Sequence, residues 1–222
     1  MAQDQKRRQA KLAKKKAKRN EVHRQLVKRK NEGLAIRMQR AATHPILDSL
    51  VAKDLDSKQM GQVLLSRKLP DGSIAFATFL VDTACLGVKD CFGRIASPGE
   101  YREFLEQVDE QMRLERTTAP YVRKLVEQAV EYAGSWGLPP HADYAKLTPI
   151  FGDVDSSECQ DEFEFGKNGM PYYVPGPYDS RDRIRNILAT LHEVGGPGSY
   201  HYVLSGDETD IPEFIADLAN FG

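Results

Sequence analysis

Only three of the 222 residues are cysteines, Cys85, Cys91 and Cys159, and no CxxC occurs among them. An odd, sparse set of this kind excludes a disulfide framework and the common zinc spacings, and it fits a reducing compartment. Long apolar runs are also missing. No segment approaches the roughly 18 apolar residues that span a bilayer. The charged start is not followed by the apolar stretch of a secretory signal. No serine precedes Ser49, which speaks against a Ser-rich transit peptide. GxGxxG, Walker A, GxSxG and HExxH patterns are absent, which lowers the nucleotide-binding, α/β-hydrolase and zincin readings. These absences lead to the expectation of a cytoplasmic protein with no membrane segment, no cofactor and no metal.

Charge is present in both signs but unevenly placed. Net charge is −1. The first 40 residues hold 15 Lys or Arg against three acids, Asp4, Glu21 and Glu32, and so carry +12; the other 182 therefore carry −13. This is a basic arm on an acidic body. The densest part is "KRRQAKLAKKKAKR", residues 6–19. Its Lys6, Arg7, Arg8, Lys11, Lys14, Lys15, Lys16, Lys18 and Arg19 are the candidate nucleic-acid-binding residues, since such side chains neutralise phosphates and release counterions without reading sequence. Residues 4–31 are strong helix formers without Gly or Pro. Their sparse apolar positions, Leu12, Val22, Leu26 and Val27, make no continuous stripe, so a helix here is expected to order on a polyanion rather than on a core. The arm has no aromatic residue for base stacking, which favours backbone contacts on folded RNA or duplex. RNA, including ribosomal RNA, is the preferred partner. An acidic protein surface, or the chain's own acidic body, is the alternative.

The rest reads as an α+β domain over 41–222, with a possible subdomain split near 137–150. "THPILDSLVA" reads as a short helix with Pro45 in its first turn. "QVLLSRKL" and "SIAFATFLVD" flank Pro70-Asp71-Gly72 as a hairpin, the second strand being apolar enough to be buried on both faces. Ser97-Pro98-Gly99-Glu100 has capping-box spacing, and a helix follows; a second starts near Thr118 and ends at "GLPP". A further hairpin is expected around Lys167-Asn168-Gly169, a helix capped by Ser180, a strand at "SYHYVL" and a closing amphipathic helix at "DIPEFIADLANF". The order α-ββ-αα-(α)-ββ-α-β-α points to α+β: an antiparallel or mixed sheet built from hairpins with packed helices, preceded by the basic helix.

Chemistry-bearing residues are scattered. Asp82 ends the buried strand and Asp90 follows eight residues on; together they are candidate catalytic carboxylates for a metal-dependent nuclease or other hydrolase. The competing reading makes both of them turn caps, with Cys85 and Cys91 as small apolar residues. Asp153, Asp155 and Ser157 open like a calcium loop, but Glu158 stands where that loop needs glycine. The histidines, His23, His44, His141, His192 and His201, show no ligand spacing, and no Cys–His or Ser–His–Asp set is dictated by position. "PYYVPGPYDS" could be an aromatic binding surface or a packed turn.

The segments "FLVDTACLGVKD" and "FEFGKNGMPYYVPGPYD" resemble parts of uncharacterised conserved bacterial proteins, over about residues 45–205. That resemblance implies no activity, cofactor or site residue. The sequence thus leads to a nucleic-acid-associated accessory protein, with a hydrolase or a protein-interaction module as alternatives.

Overall fold

The computed structural model describes residues 33–203 together with Lys14. The described elements are α1 (Leu34–Ala41), β1 (Ile46–Ala52), α2 (Leu55–Lys58), β2 (Met60–Lys68), β3 (Ile74–Asp82), β4 (Gly87–Ala96), α3 (Pro98–Met112), β5 (Leu114–Arg116), α4 (Ala119–Ser135), α5 (Tyr144–Leu147), β6 (Tyr172–Tyr173), α6 (Arg181–Gly195) and β7 (His201–Tyr202), with two short 3-10 turns at Thr148–Phe151 and Ser156–Glu158. The expected arm helix over residues 4–31 and the closing helix at "DIPEFIADLANF" lie outside the described residues, apart from Lys14, which is exposed.

The protein is α+β. A five-stranded sheet has the order β4-β3-β2-β1-β5, every neighbour antiparallel. β1 to β4 form a meander, and α3 carries the chain from one edge of the sheet to the other, where β5 joins. The Pro70-Asp71-Gly72 hairpin forms as expected. Gly72 has φ +84°, the left-handed conformation such a turn requires, and Asp71 Oδ1 accepts the Ser73 N–H at 3.0 Å.

Side-chain alternation divides the core in two. Leu50, Leu64, Ile74, Phe76 and Ala96 face α3, which contributes Tyr101, Phe104 and Leu105. Val51, Val63, Leu65, Ala77, Phe79, Val81, Val88 and Cys91 face Val122, Leu125, Val126 and Ala129 of α4, with Met38 of α1. β3 is buried on both faces, as its apolar sequence requires. A third cluster joins Cys85 and Leu86, from the β3–β4 corner, to Ala133, Leu138, Tyr173, Ile187, Leu188 and Leu191. The three long helices start where their caps predict. Ser97 and Glu100 close a full capping box, Thr118 accepts from the Tyr121 N–H, and Ser180 accepts from the Arg183 N–H.

Two expectations are corrected. "THPILDSLVA" is not a helix: Ile46–Ala52 is a strand between β2 and β5, pairing Val51 with both Val63 and Glu115. A short apolar run buried on both faces has no periodicity of its own, and Pro45 serves the first residue of a strand as well as that of a helix. The expected second hairpin forms its turn but not its strands. Asn168 (φ 56°) and Gly169 (φ 80°) make a left-handed turn closed by Lys167 N–H to Met170 O. The flanking backbone pairs elsewhere: Gly166 N–H donates to Thr83 O, and Tyr172 N–H to Ala84 O. Tyr172–Tyr173 pairs in parallel with His201–Tyr202, so "SYHYVL" contributes a two-residue strand.

Arg67, on the central strand, is 3 % exposed and has no carboxylate within ion-pair distance among the described residues. Its guanidinium donates instead to three backbone carbonyls: Ile150 at 2.8 Å, Phe151 at 2.7 Å and His44 at 2.7 Å. These bonds tie the exit of α1 and the 3-10 turn at 148–151 to the sheet. Arg67→Met leaves three backbone acceptors, two of them buried, without a donor and is expected to cost about 3–5 kcal/mol in urea unfolding, whereas Lys68→Met on the exposed neighbour should stay within about 0.5 kcal/mol.

Candidate functional site

The two carboxylates named from sequence end in different environments. Asp82 is 3 % exposed at the end of β3. Its Oδ1 accepts the N–H groups of Ala84 and Cys85, each at 2.9 Å, so the side chain closes the β3–β4 corner. Burial pushes its carboxyl above the usual range, against the pull of those N–H groups and of Lys89. Asp90 stands directly after a bulge in β4. Leu80 pairs with Asp90 and Val81 with Val88, leaving Lys89 without a partner across the ladder. The Asp90 side chain is 67 % exposed and accepts its neighbour's backbone N–H, from Cys91, at 2.7 Å.

The structure brings Asp90 to Cys91 and His141, a grouping with no signal in the sequence because His141 lies 50 residues from Cys91. The "GLPP" segment that ends α4 runs along the free edge of β4, and His141 N–H donates to Val88 O at 3.0 Å. This sets the imidazole across the strand edge. Its Nδ1 lies 3.3 Å from Cys91 Sγ and 3.2 Å from the Asp143 backbone N–H; its Nε2 lies 3.6 Å from Asp90 Oδ1. The Asp143 N–H can only donate, so the ring proton sits on Nε2, facing Asp90, and Cys91 S–H donates to Nδ1. Burial, with Asp90 and Asp143 nearby, pushes the Cys91 thiol up to about 11, against the pull of Lys146. Cys91 at rest is therefore a neutral thiol. A groove of about 630 Å³ begins at His141, lined also by Val88, Leu138, Lys89, Arg183 and Asn186.

Lys89 at the bulge reaches across this groove to Asp179, 3.4 Å away. Asp179 also meets Arg183 Nε at 3.1 Å, the Gly176 N–H at 2.7 Å and the Tyr173 hydroxyl at 3.2 Å. Burial raises its carboxyl, but the Gly176 N–H, Lys89 and Tyr173 outweigh it and hold the group below the usual range. Asp179 is thus the anchor of the tyrosine-rich loop. That loop is not one aromatic surface: Tyr173 is fully buried, whereas Tyr178 is 97 % exposed.

The other sequence candidates stay apart. Asp153, Asp155, Glu158, Asp161, Glu162 and Glu164 are all exposed. Asp155 caps the 3-10 turn through the Ser157 N–H. Phe163 packs on Tyr121 and Phe165 on Tyr132, leaving Glu164 between them outward. Among the described residues, no three or more His, Cys, Asp or Glu are grouped so as to hold a metal ion, and no helix is long and apolar enough to cross a membrane. Of the arm residues, Lys6, Arg7, Arg8, Lys11, Lys15, Lys16, Lys18 and Arg19 lie outside the described residues.

Comparison of the chain with family models, with curated proteins and with solved structures finds no match.

Asp82 and Asp179 give opposite pH signatures. The folded state holds the Asp82 proton more tightly than the unfolded chain, so its contribution is lost as pH rises through the carboxylate range. Asp82→Asn keeps the Oδ1 acceptor and should gain stability relative to wild type as pH rises from about 4 to 7. Asp82→Ala removes the acceptor and should cost about 2–3 kcal/mol. Asp179 works the other way: Asp179→Asn should be least stable relative to wild type at neutral pH, and the deficit should shrink as pH falls through the folded-state value. Urea titrations at several pH values read both.

Proposed function

We propose that this is a cytoplasmic, nucleic-acid-associated accessory protein that grips phosphate backbone, preferably that of RNA, through its basic N-terminal arm. The observation that carries the reading is the charge segregation, +12 over the first 40 residues against −13 over the rest. Its physical basis is counterion release, which needs clustered Lys and Arg but no sequence readout.

The way the arm joins the body supports this. Helix α1 buries Met38 and Ala41 against the main core, and Arg67 holds its exit through His44 O. The basic stretch therefore leads into a fixed point, while exposed acids such as Asp153, Asp155 and Glu158 cover part of the body. An acidic body repels bulk phosphate and favours an orientation in which the arm alone meets the polyanion.

The metal-dependent nuclease reading draws no support from the described carboxylates, because Asp82 is committed to its corner and Asp90 to His141 and the Cys91 N–H. An acidic protein partner uses the same arm chemistry and is separated by the test.

A chain beginning at Gly33 keeps α1 and lacks 13 of the 15 bases counted above. The full chain should bind folded RNA with an affinity that falls about a thousandfold between 50 and 200 mM salt, as six or so phosphate contacts require, and the shortened chain should not bind. Equal binding by the two chains takes the contact away from the arm, and no binding by either removes the nucleic-acid reading and leaves the acidic partner.

A further inference from the structure

We propose that Cys91, His141 and Asp90 form a thiol-dependent acyl-transfer site, with Cys91 as nucleophile, His141 as its base and Asp90 as the group that orients the imidazole, and that its substrate is a small activated ester or thioester. The site is separate from the arm and does not rest on nucleic-acid binding.

The geometry has the three parts such a site needs. Cys91 Sγ lies 3.3 Å from His141 Nδ1. The opposite ring nitrogen faces a carboxylate, Asp90 Oδ1, at 3.6 Å. The Asp143 backbone N–H, which can only donate, assigns the ring proton to Nε2 and shares the single Nδ1 lone pair with the Cys91 thiol. The backbone supplies the rigidity: the β4 bulge re-aims Asp90, and the His141 N–H bond to Val88 O pins the imidazole to the strand edge. The groove that begins at His141 is apolar along Leu86, Val88, Leu138 and Ile187, with Lys89, Asp182 and Arg183 at its polar part, which suits a small, uncharged acyl group.

The thiol is not a preformed thiolate. Cys91 is 7 % exposed. Burial, Asp90 and Asp143 all disfavour its ionised form, and only Lys146 opposes them. His141 therefore acts as a general base in the attacking step. As Sγ bonds to the acyl carbon, the S–H proton moves to Nδ1, and the developing imidazolium is balanced by Asp90 across the ring. The proton then passes to the departing alkoxide or thiolate. Water, deprotonated by the same nitrogen, cleaves the Cys91 thioester to a carboxylic acid and restores the thiol. No oxidant or reductant is consumed. Formation of the imidazolium must break the Asp143 N–H bond to Nδ1, so turnover by this route is slow compared with a site whose base has no such donor.

The test uses the full chain and p-nitrophenyl acetate as the probe, with acetyl groups located by peptide mass mapping. The expected result is a hydroxylamine-labile acetyl group on Cys91, formed about a hundredfold more slowly in His141→Gln and absent in Cys91→Ala. Asp90→Asn should slow acetylation less and move its pH profile, which is set by His141 with Asp90, Asp143 and Lys146 around it. Since His141 also makes a backbone bond, His141→Ala is assayed with added free imidazole; recovery of Cys91 acetylation separates loss of the base from loss of the fold. Acetylation confined to surface lysines, or Cys91 acetylation at the same rate with and without the imidazole side chain, overturns the proposal.

Discussion

The buried guanidinium of Arg67 is the contact on which the rest of the arrangement depends. It sits on the middle strand of the sheet, where an unpaired charge is costly, and it is satisfied entirely by main-chain oxygens. Two of those oxygens belong to Ile150 and Phe151, the end of a 3-10 turn, where backbone acceptors run out of helical partners. The third belongs to His44, just beyond α1. Gly152 shows how tightly the pieces meet: at φ +59°, a Cβ there would come within 2.8 Å of Ala42 Cβ. One side chain thus joins three segments far apart in the chain and decides where the basic N-terminal segment meets the body.

A similar economy governs the exposed edge of the sheet. An edge strand offers unpaired N–H and C=O groups that invite other chains. Here β4 is protected by its bulge, by Lys89, Asp90 and Arg94, and by the 138–141 segment lying against Val88. The Asp90–His141–Cys91 grouping is a product of that covering. The same main-chain bond that closes the edge at Val88 holds the imidazole over the thiol. Lys89 and Asp179 extend the cover to the tyrosine loop, so edge protection and the groove share their residues.

Sequence specifies structure directly where the physics is local. Ser97, Thr118 and Ser180 cap the helices that follow them because a cap needs only a hydroxyl and the next turn's N–H groups. The Pro-Asp-Gly and Asn-Gly turns formed for the same reason, through positive φ at glycine. Local sequence does not specify a segment whose partner lies elsewhere in the chain. Residues 43–52 look helical until β2 and β5 are placed on either side of 46–52, and 162–176 look like a hairpin until Thr83 and Ala84 compete for their backbone groups. Of the two readings open for Asp82, catalytic carboxylate or turn cap, the cap is the one within reach of local sequence, because its partners are two and three residues away. Cys91 and His141 gave no warning, since their separation in sequence is unrelated to their distance across the sheet edge.

By itself the sequence determined the α+β class, the segregation of charge, the β2–β3 hairpin and the helix starts. Each of these follows from composition or from contacts within a few residues. Only the tertiary structure decided the strand order, the burial of Arg67 on three carbonyls, the Asp179 anchor and the meeting of Asp90, Cys91 and His141. These depend on pairings between residues 18 to 90 positions apart, and hydrogen-bond partners at that range are chosen by which surfaces pack together, not by any spacing along the chain.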